Sequence, residues 1–101
     1  MITVVHCKRE DYDVYIGRGR CPKTGKKSIW YNPFLMGIDG SREEVIEKYR
    51  GHVLSSPELM VKLFTLKDKR LGCWCVSTPI NYVREDKYCH GEVLLELVEN
   101  I

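Results

Sequence analysis

The chain has 101 residues, 44% hydrophobic and 30% charged, with a formal net charge of +2. That length suits one modest core, the composition is ordinary for a globular protein, and so small a charge does not by itself imply a nucleic-acid partner. No uncharged run approaches the roughly 20 apolar residues that cross a bilayer, no basic segment followed by an apolar one opens the chain, and the five cysteines are odd in number. A cytoplasmic protein without a membrane partner, in a host cell's cytoplasm if viral, is therefore expected, with its thiols reduced or on metal rather than in disulfides.

Ile2-Thr3-Val4-Val5-His6-Cys7 is rich in β-branched residues and predicts a first strand; Val14-Tyr15-Ile16, ended by Gly17, predicts a second. The two can pair as a hairpin or lie apart in one sheet. From Gly17 to Gly40 there is no periodic pattern, yet the segment holds Trp30, Tyr31, Phe34, Leu35 and Met36, which points to an ordered, function-bearing loop. Arg20-Cys21-Pro22-Lys23-Thr24-Gly25-Lys26 reads as an exposed excursion from it. Ser41 with Glu44 makes a capping box, and Val45, Ile46, Tyr49 and Val53 then follow helical spacing. Ser56-Pro57-Glu58 repeats the start signal ahead of Leu59, Leu63 and Leu66. Leu71 to Val76 reads as a third strand, residues 77–87 as a polar loop, and the stretch from about Tyr88 to Val98 as a last helix with Val93, Leu94, Leu97 and Val98 inward.

This order predicts an α/β fold over residues 1–101: a small single domain with a three- to four-stranded mixed or parallel sheet, about three helices and a long ordered loop. Sites in such sheets collect at the carboxyl ends of the strands. Gly17-Arg18 after the second strand and Cys75 at the end of the third would then meet at one edge.

Cys73-Trp74-Cys75 and Cys89-His90 gather three of the five cysteines and one of the three histidines. Thiolate and imidazole suit a tetrahedral zinc ion, usually with four ligands, so Cys73, Cys75, Cys89 and His90 form a candidate Cys₃His site. The Cys-x-Cys spacing puts both thiols on one side only if the segment is extended. Cys89 and His90 fall at the start of the last helix, where the dipole favours thiolate. Ordinary buried cysteines, with His90 beside a helix cap, are the bland alternative. His6 and Cys7 end the first strand and are substitute ligands; Cys21 and His52 are left unassigned.

Arg18, Arg20, Lys23, Lys26 and Lys27 crowd into ten positions among glycines, while Glu92 to Ile101 carries only acidic charge. Such a run is either a solvated loop or a surface for phosphate. Trp30 and Tyr31 are core residues or stacking groups. The carboxylates look like solvated helix faces, and no pair stands at a spacing that nominates a general acid and base.

Val14-Tyr15-Ile16-Gly17-Arg18, Asn32-Pro33-Phe34, Arg42-Glu43-Glu44-Val45-Ile46-Glu47-Lys48-Tyr49, Leu71-Gly72-Cys73-Trp74-Cys75 and Cys89-His90-Gly91-Glu92-Val93-Leu94, in that order, resemble the DUF4326 family, a domain of unknown function found in bacteria, phages and other large DNA viruses. The resemblance implies a recurring set of Arg18, Asn32, Cys73, Cys75, Cys89 and His90, with no settled activity. Tyr31 stands where members often have glycine, and the proline that often follows the Cys-x-Cys closely comes later here, at Pro79.

Three functions are consistent with these residues. One is a small zinc-binding domain in which Arg18, Arg20, Lys23, Lys26, Lys27 and Asn32 bind a nucleotide or nucleic acid. A second is an enzyme acting on a nucleotide or modified base, with Arg18 and Asn32 holding substrate and a cysteine nucleophile such as Cys89, or an open zinc site, performing the chemistry. Arg18 in an ion pair and Asn32 in an Asn-Pro turn are the structural alternatives for those two residues. The third is a small interaction protein whose thiols only pack.

Overall fold

Three parallel strands, β1 (Thr3–His6), β2 (Val14–Tyr15) and β3 (Arg70–Cys73), form one sheet in the order β1-β3-β2. The computed structural model describes residues 2–100. The strand latest in the chain is thus the middle one, with His6 opposite Cys73 and Tyr15 opposite Gly72. The hairpin alternative is removed because the connection between β1 and β2 spends both its ends on β3: Cys7 N–H donates to the carbonyl of Cys73 and Asp13 N–H to that of Arg70. An antiparallel bridge between Val4 and Ile80 returns the chain after β3 to the free edge of β1.

Between β2 and β3 lie α1 (Arg42–Leu54), α2 (Pro57–Lys62) and a 3-10 turn (Leu63–Leu66), and α3 (His90–Glu99) closes the fold. Ser41 and Glu44 form the expected capping box on α1, and Ser56 caps α2 ahead of Pro57. Two expected boundaries move. β3 ends at Cys73 rather than Val76, because the Cys7–Cys73 bond is the last rung that β1 offers. α3 begins at His90, and Cys89 precedes it as an N-cap in extended conformation.

Alternation along the strands then decides what each sheet face carries. Val4, Ile16, Leu71 and Cys73 join the main core with Ile46, Tyr49 and Val53 of α1, Leu59 of α2, Leu63 and Leu66, and Val93, Leu94 and Val98 of α3. Each such side chain contributes about 1.5–3 kcal/mol by leaving water. Tyr15 points the other way, into a small cluster with Cys7, Cys21 and Tyr12. Two glycines permit close approach: a Cβ on Gly91 would lie 2.6 Å from Ile16 Cδ1, and one on Gly72 2.6 Å from Tyr12 Cγ. α3 can therefore lie directly on the sheet. The loop from Gly17 to Gly40 is ordered as expected, tied to α1 by Tyr49 Oη donating to the Trp30 carbonyl at 2.7 Å and Lys48 to that of Asp39 at 2.6 Å.

Candidate metal centre and its cavity

Cys73 leaves the sheet on the helix-facing side, and Cys89 caps the helix that packs there, so their sulfurs meet at 3.1 Å, both fully buried. The chain after Cys73 turns and brings Cys75 back, exposed at the surface; the three Sγ atoms lie within 4.8 Å of one another. A turn, not the extended run expected, puts Cys73 and Cys75 on one site. Among the described residues this is the one group of three or more close metal-ligating side chains.

Hydrogen bonding concentrates negative charge on Cys75. Thiols of Cys73 and Cys89 donate to it, and the Arg42 guanidinium adds favourable charge, so its pKa is held far below that of an ordinary thiol despite partial burial. Donating to Cys75 pushes Cys73 up, and donating to Cys73 and Cys75 pushes Cys89 well up. The expected thiolate at the helix start is thus transferred to the exposed neighbour. Cys89 Sγ still accepts the Gly91 N–H at 3.4 Å.

The helix start is instead served by Glu92, 1% exposed, which the expectation of solvated carboxylates missed. Its carboxylate accepts from the amides of Tyr88 at 2.7 Å and Cys89 at 3.1 Å, and forms a two-pronged ion pair with Arg84. The signal was a capping-box spacing, Cys89 to Glu92, hidden because cysteine is not a usual cap.

His90 is buried next to the thiols but is not one of the close set. Its Nε2 lies 2.6 Å from the carbonyl of Ile16, and burial lowers its pKa, so the ring is neutral, donates from Nε2 and keeps a lone pair on Nδ1. His6 and Cys7 are also outside the set: His6 Nδ1 accepts from Lys8 N–H, and Cys7 lies in the cluster on the opposite sheet face.

Four of the six motif residues, Arg18, Asn32, Cys75 and His90, line one cavity of ≈360 Å³ together with Phe34, Arg42, Trp74 and Tyr88. The expected meeting of Gly17-Arg18 and Cys75 at one sheet edge occurs here. Among the described residues Arg18 is in no ion pair; its Nη2 donates to the carbonyls of Asn32 at 2.6 Å and Phe34 at 3.0 Å, fixing the loop. Asn32 caps its own turn, its Oδ1 accepting from Phe34 N–H at 2.9 Å, while Nδ2 reaches the Val45 carbonyl. Trp30 is core and Tyr31 is exposed, and neither lines this cavity; its aromatic walls are Phe34, Trp74 and Tyr88.

The basic excursion goes elsewhere. Lys23, Lys26 and Lys27 line a separate cavity of ≈410 Å³ with Tyr12 and Cys21, and Arg20 donates to the Gly25 carbonyl. Cys21, expected to be exposed, is buried, because the excursion folds back over the β2 edge. Burial raises its pKa, but bonds from the Tyr12 phenol at 3.0 Å, the Thr24 hydroxyl and the amides of Thr24 and Lys23 outweigh it and bring the thiol down to about 7.

The cysteine pair at the end of β3, the Cys-His-Gly start of α3, and the Asn-Pro-Phe turn beneath Arg18 are the motifs quoted above, now in one place. Residues 5–100 match DUF4326, described as a domain of unknown function. The chain belongs to that family. This DUF4326 domain is 42% identical over 95 residues to an uncharacterized protein of Acanthamoeba polyphaga mimivirus, an alignment covering 91% of this chain and 71% of that protein. No solved structure matches it. No helix among the described residues is long and apolar enough to cross a membrane.

Proposed function

We propose that this DUF4326 domain is a zinc-binding domain that binds a nucleotide or nucleic acid at the cavity beside Cys75. What carries the metal reading is the approach of three soft donors, Cys73, Cys75 and Cys89, to within 4.8 Å. Two thiolates on a tetrahedral zinc with Zn–S of about 2.3 Å lie about 3.8 Å apart. Cys73 and Cys89, now 3.1 Å apart, need only separate slightly to fit. No carboxylate belongs to the set, which favours zinc over calcium or magnesium.

Support for the nucleotide is the lining: Arg18 and Arg42 supply positive charge, and Phe34, Trp74 and Tyr88 supply flat apolar surface. Asn32 and Arg18 act by holding the loop that forms the wall. Arg20, Lys23, Lys26 and Lys27 add a second basic surface over the other cavity, suited to the backbone of a longer nucleic acid. The free cysteines support a cytoplasmic working compartment.

Two versions of the zinc site differ in their fourth ligand. With Cys73, Cys75 and Cys89 as its only protein ligands, a bound zinc would keep an open position and would supply Lewis acidity toward a nucleotide or modified base. His90 closes the shell instead if Nδ1 is used; the Nε2 bond to the Ile16 carbonyl is the outer-shell contact that metal-bound histidines typically make. Elemental analysis of untagged, reduced protein tests the reading, with about one zinc per chain expected. Absence of metal from the folded, reduced protein overturns it. Retention of zinc by folded His90→Ala selects the open site, and its loss selects the closed one.

A further inference from the structure

The cavity beside Cys75 does not end there. A second cavity of ≈370 Å³ adjoins it, and the two share Arg42, Cys75 and Tyr88. Their chemistry differs. The first is walled by Phe34, Trp74, Val45 and Ile46; the second by Ser77, Thr78 and Arg84, from the loop after β3. Neither lining contains a carboxylate.

The charges in the second chamber are unequal. Arg84 is neutralised by the buried carboxylate of Glu92. Arg42 has no carboxylate or carbonyl acceptor among the described residues; its guanidinium lies over the Tyr88 ring, 4.7 Å from the centroid. Arg9, Arg18 and Arg20 are spent on backbone carbonyls, and Arg50 and Arg70 on glutamates. The hydroxyls of Ser77 and Thr78 likewise have no protein partner among the described residues. Arg42, whose anionic neighbour is the Cys75 thiolate rather than a carboxylate, and two free hydroxyls in a chamber without carboxylates favour an anion.

We propose that the two cavities form one groove for a nucleoside phosphate, with the phosphate in the chamber of Arg42, Ser77 and Thr78 and the base against Phe34 and Trp74. This rests on the nucleotide reading above and assigns the phosphate to the loop after β3 rather than to the lysines of the basic excursion. Aromatic walls hold a flat base whatever its identity. Arg18 has bonds only from Nη2, which leaves Nε and Nη1 as donors for the edge of a base.

The test is calorimetric titration of the full chain, metal content measured alongside, with nucleoside 5′-monophosphates, the matching nucleosides and inorganic phosphate. Wild type should bind a monophosphate about tenfold or more tighter than its nucleoside, the size of one charge-assisted hydrogen bond. Arg42→Ala should erase that margin and leave nucleoside affinity unchanged. Ser77→Ala with Thr78→Val should reduce the margin, and Lys23→Ala with Lys26→Ala and Lys27→Ala should leave it intact. Arg42→Lys, keeping the charge, should restore part of it, which a mere folding defect would not. A margin that survives Arg42→Ala, or disappears in the triple lysine variant, overturns the assignment, as does inorganic phosphate binding as tightly as the nucleotide. Zinc retained with no nucleotide bound overturns the groove and leaves the metal reading standing. Nucleotide bound through Arg42 in a metal-free chain leaves the groove and overturns the metal.

Discussion

The two faces of the sheet each carry buried thiols, and they treat them differently. On the helix face, Cys73, Cys75 and Cys89 have mostly one another as partners. On the opposite face, Cys21 has a phenol, a hydroxyl and amides, and Cys7 lies in the same cluster with Tyr12 and Tyr15. Thiols whose bonding needs are met by fixed donors have no use for an ion, whereas three that share their protons leave the donor set a soft cation takes. The comparison teaches that partners, not numbers of cysteine, distinguish a candidate metal centre from a reactive thiol.

Substitution on each face should break this comparison most sharply. Cys73→Ala or Cys89→Ala should abolish zinc binding and cost stability on the scale of the whole domain, about 5–15 kcal/mol, whereas Cys21→Ala should cost only about 1–2 kcal/mol. Circular dichroism melts with metal analysis would show this, and equal melts for Cys89→Ala and Cys21→Ala would remove the distinction. Glu92→Ala comes next. It orphans two amides and the Arg84 guanidinium, which at 27% exposure recovers some hydration, so the expected loss is about 2–3 kcal/mol in urea unfolding. Glu92→Gln, which keeps an acceptor, should cost less. Gly91→Ala should cost about 1–3 kcal/mol, since its methyl group meets Ile16 and Val4 and moves α3 off the sheet.

A titration sharpens the same contrast on the other face. The folded pKa of Cys21, about 7, lies below its ordinary 9.0, so the native state favours thiolate. Its stabilisation is complete above pH 9.0 and is lost as the pH falls through about 7. Iodoacetamide labelling of Cys21 should be half-maximal near that lower value, and Tyr12→Phe should move the midpoint upward. A midpoint unmoved by Tyr12→Phe would deny the phenol its role. The smallest effect is expected from Lys26→Ala and Lys27→Ala, within about 0.5 kcal/mol and with zinc content unchanged.

Much of this was legible in the chain. A capping box and apolar spacing placed α1, a serine cap ahead of proline placed α2, and the rule about strand ends brought Arg18 and Cys75 together from the sequence. What was not legible depended on pairing at a distance. The end of β3 is set by where β1 runs out at His6, so the turn that returns Cys75 has no local signal. The burial of Cys21 depends on a loop folding over β2, and that of Glu92 on Arg84 arriving from a polar loop. The role proposed for Arg42 was hidden for a simpler reason: it opens an amphipathic helix, where an arginine looks like ordinary solvated charge.

The strand order also has a consequence for biosynthesis. β1 and β2 are both edge strands whose hydrogen-bonding partner is β3, which starts at Arg70. On a ribosome adding about 5–20 residues per second, both wait several seconds with no neighbour, and the sheet assembles only from its centre outward once that last strand emerges. Cys89 follows later still. The nascent chain is therefore open to aggregation through its first two strands until the segment carrying Cys73 arrives, and the three-thiol cluster is complete only at the end of that wait.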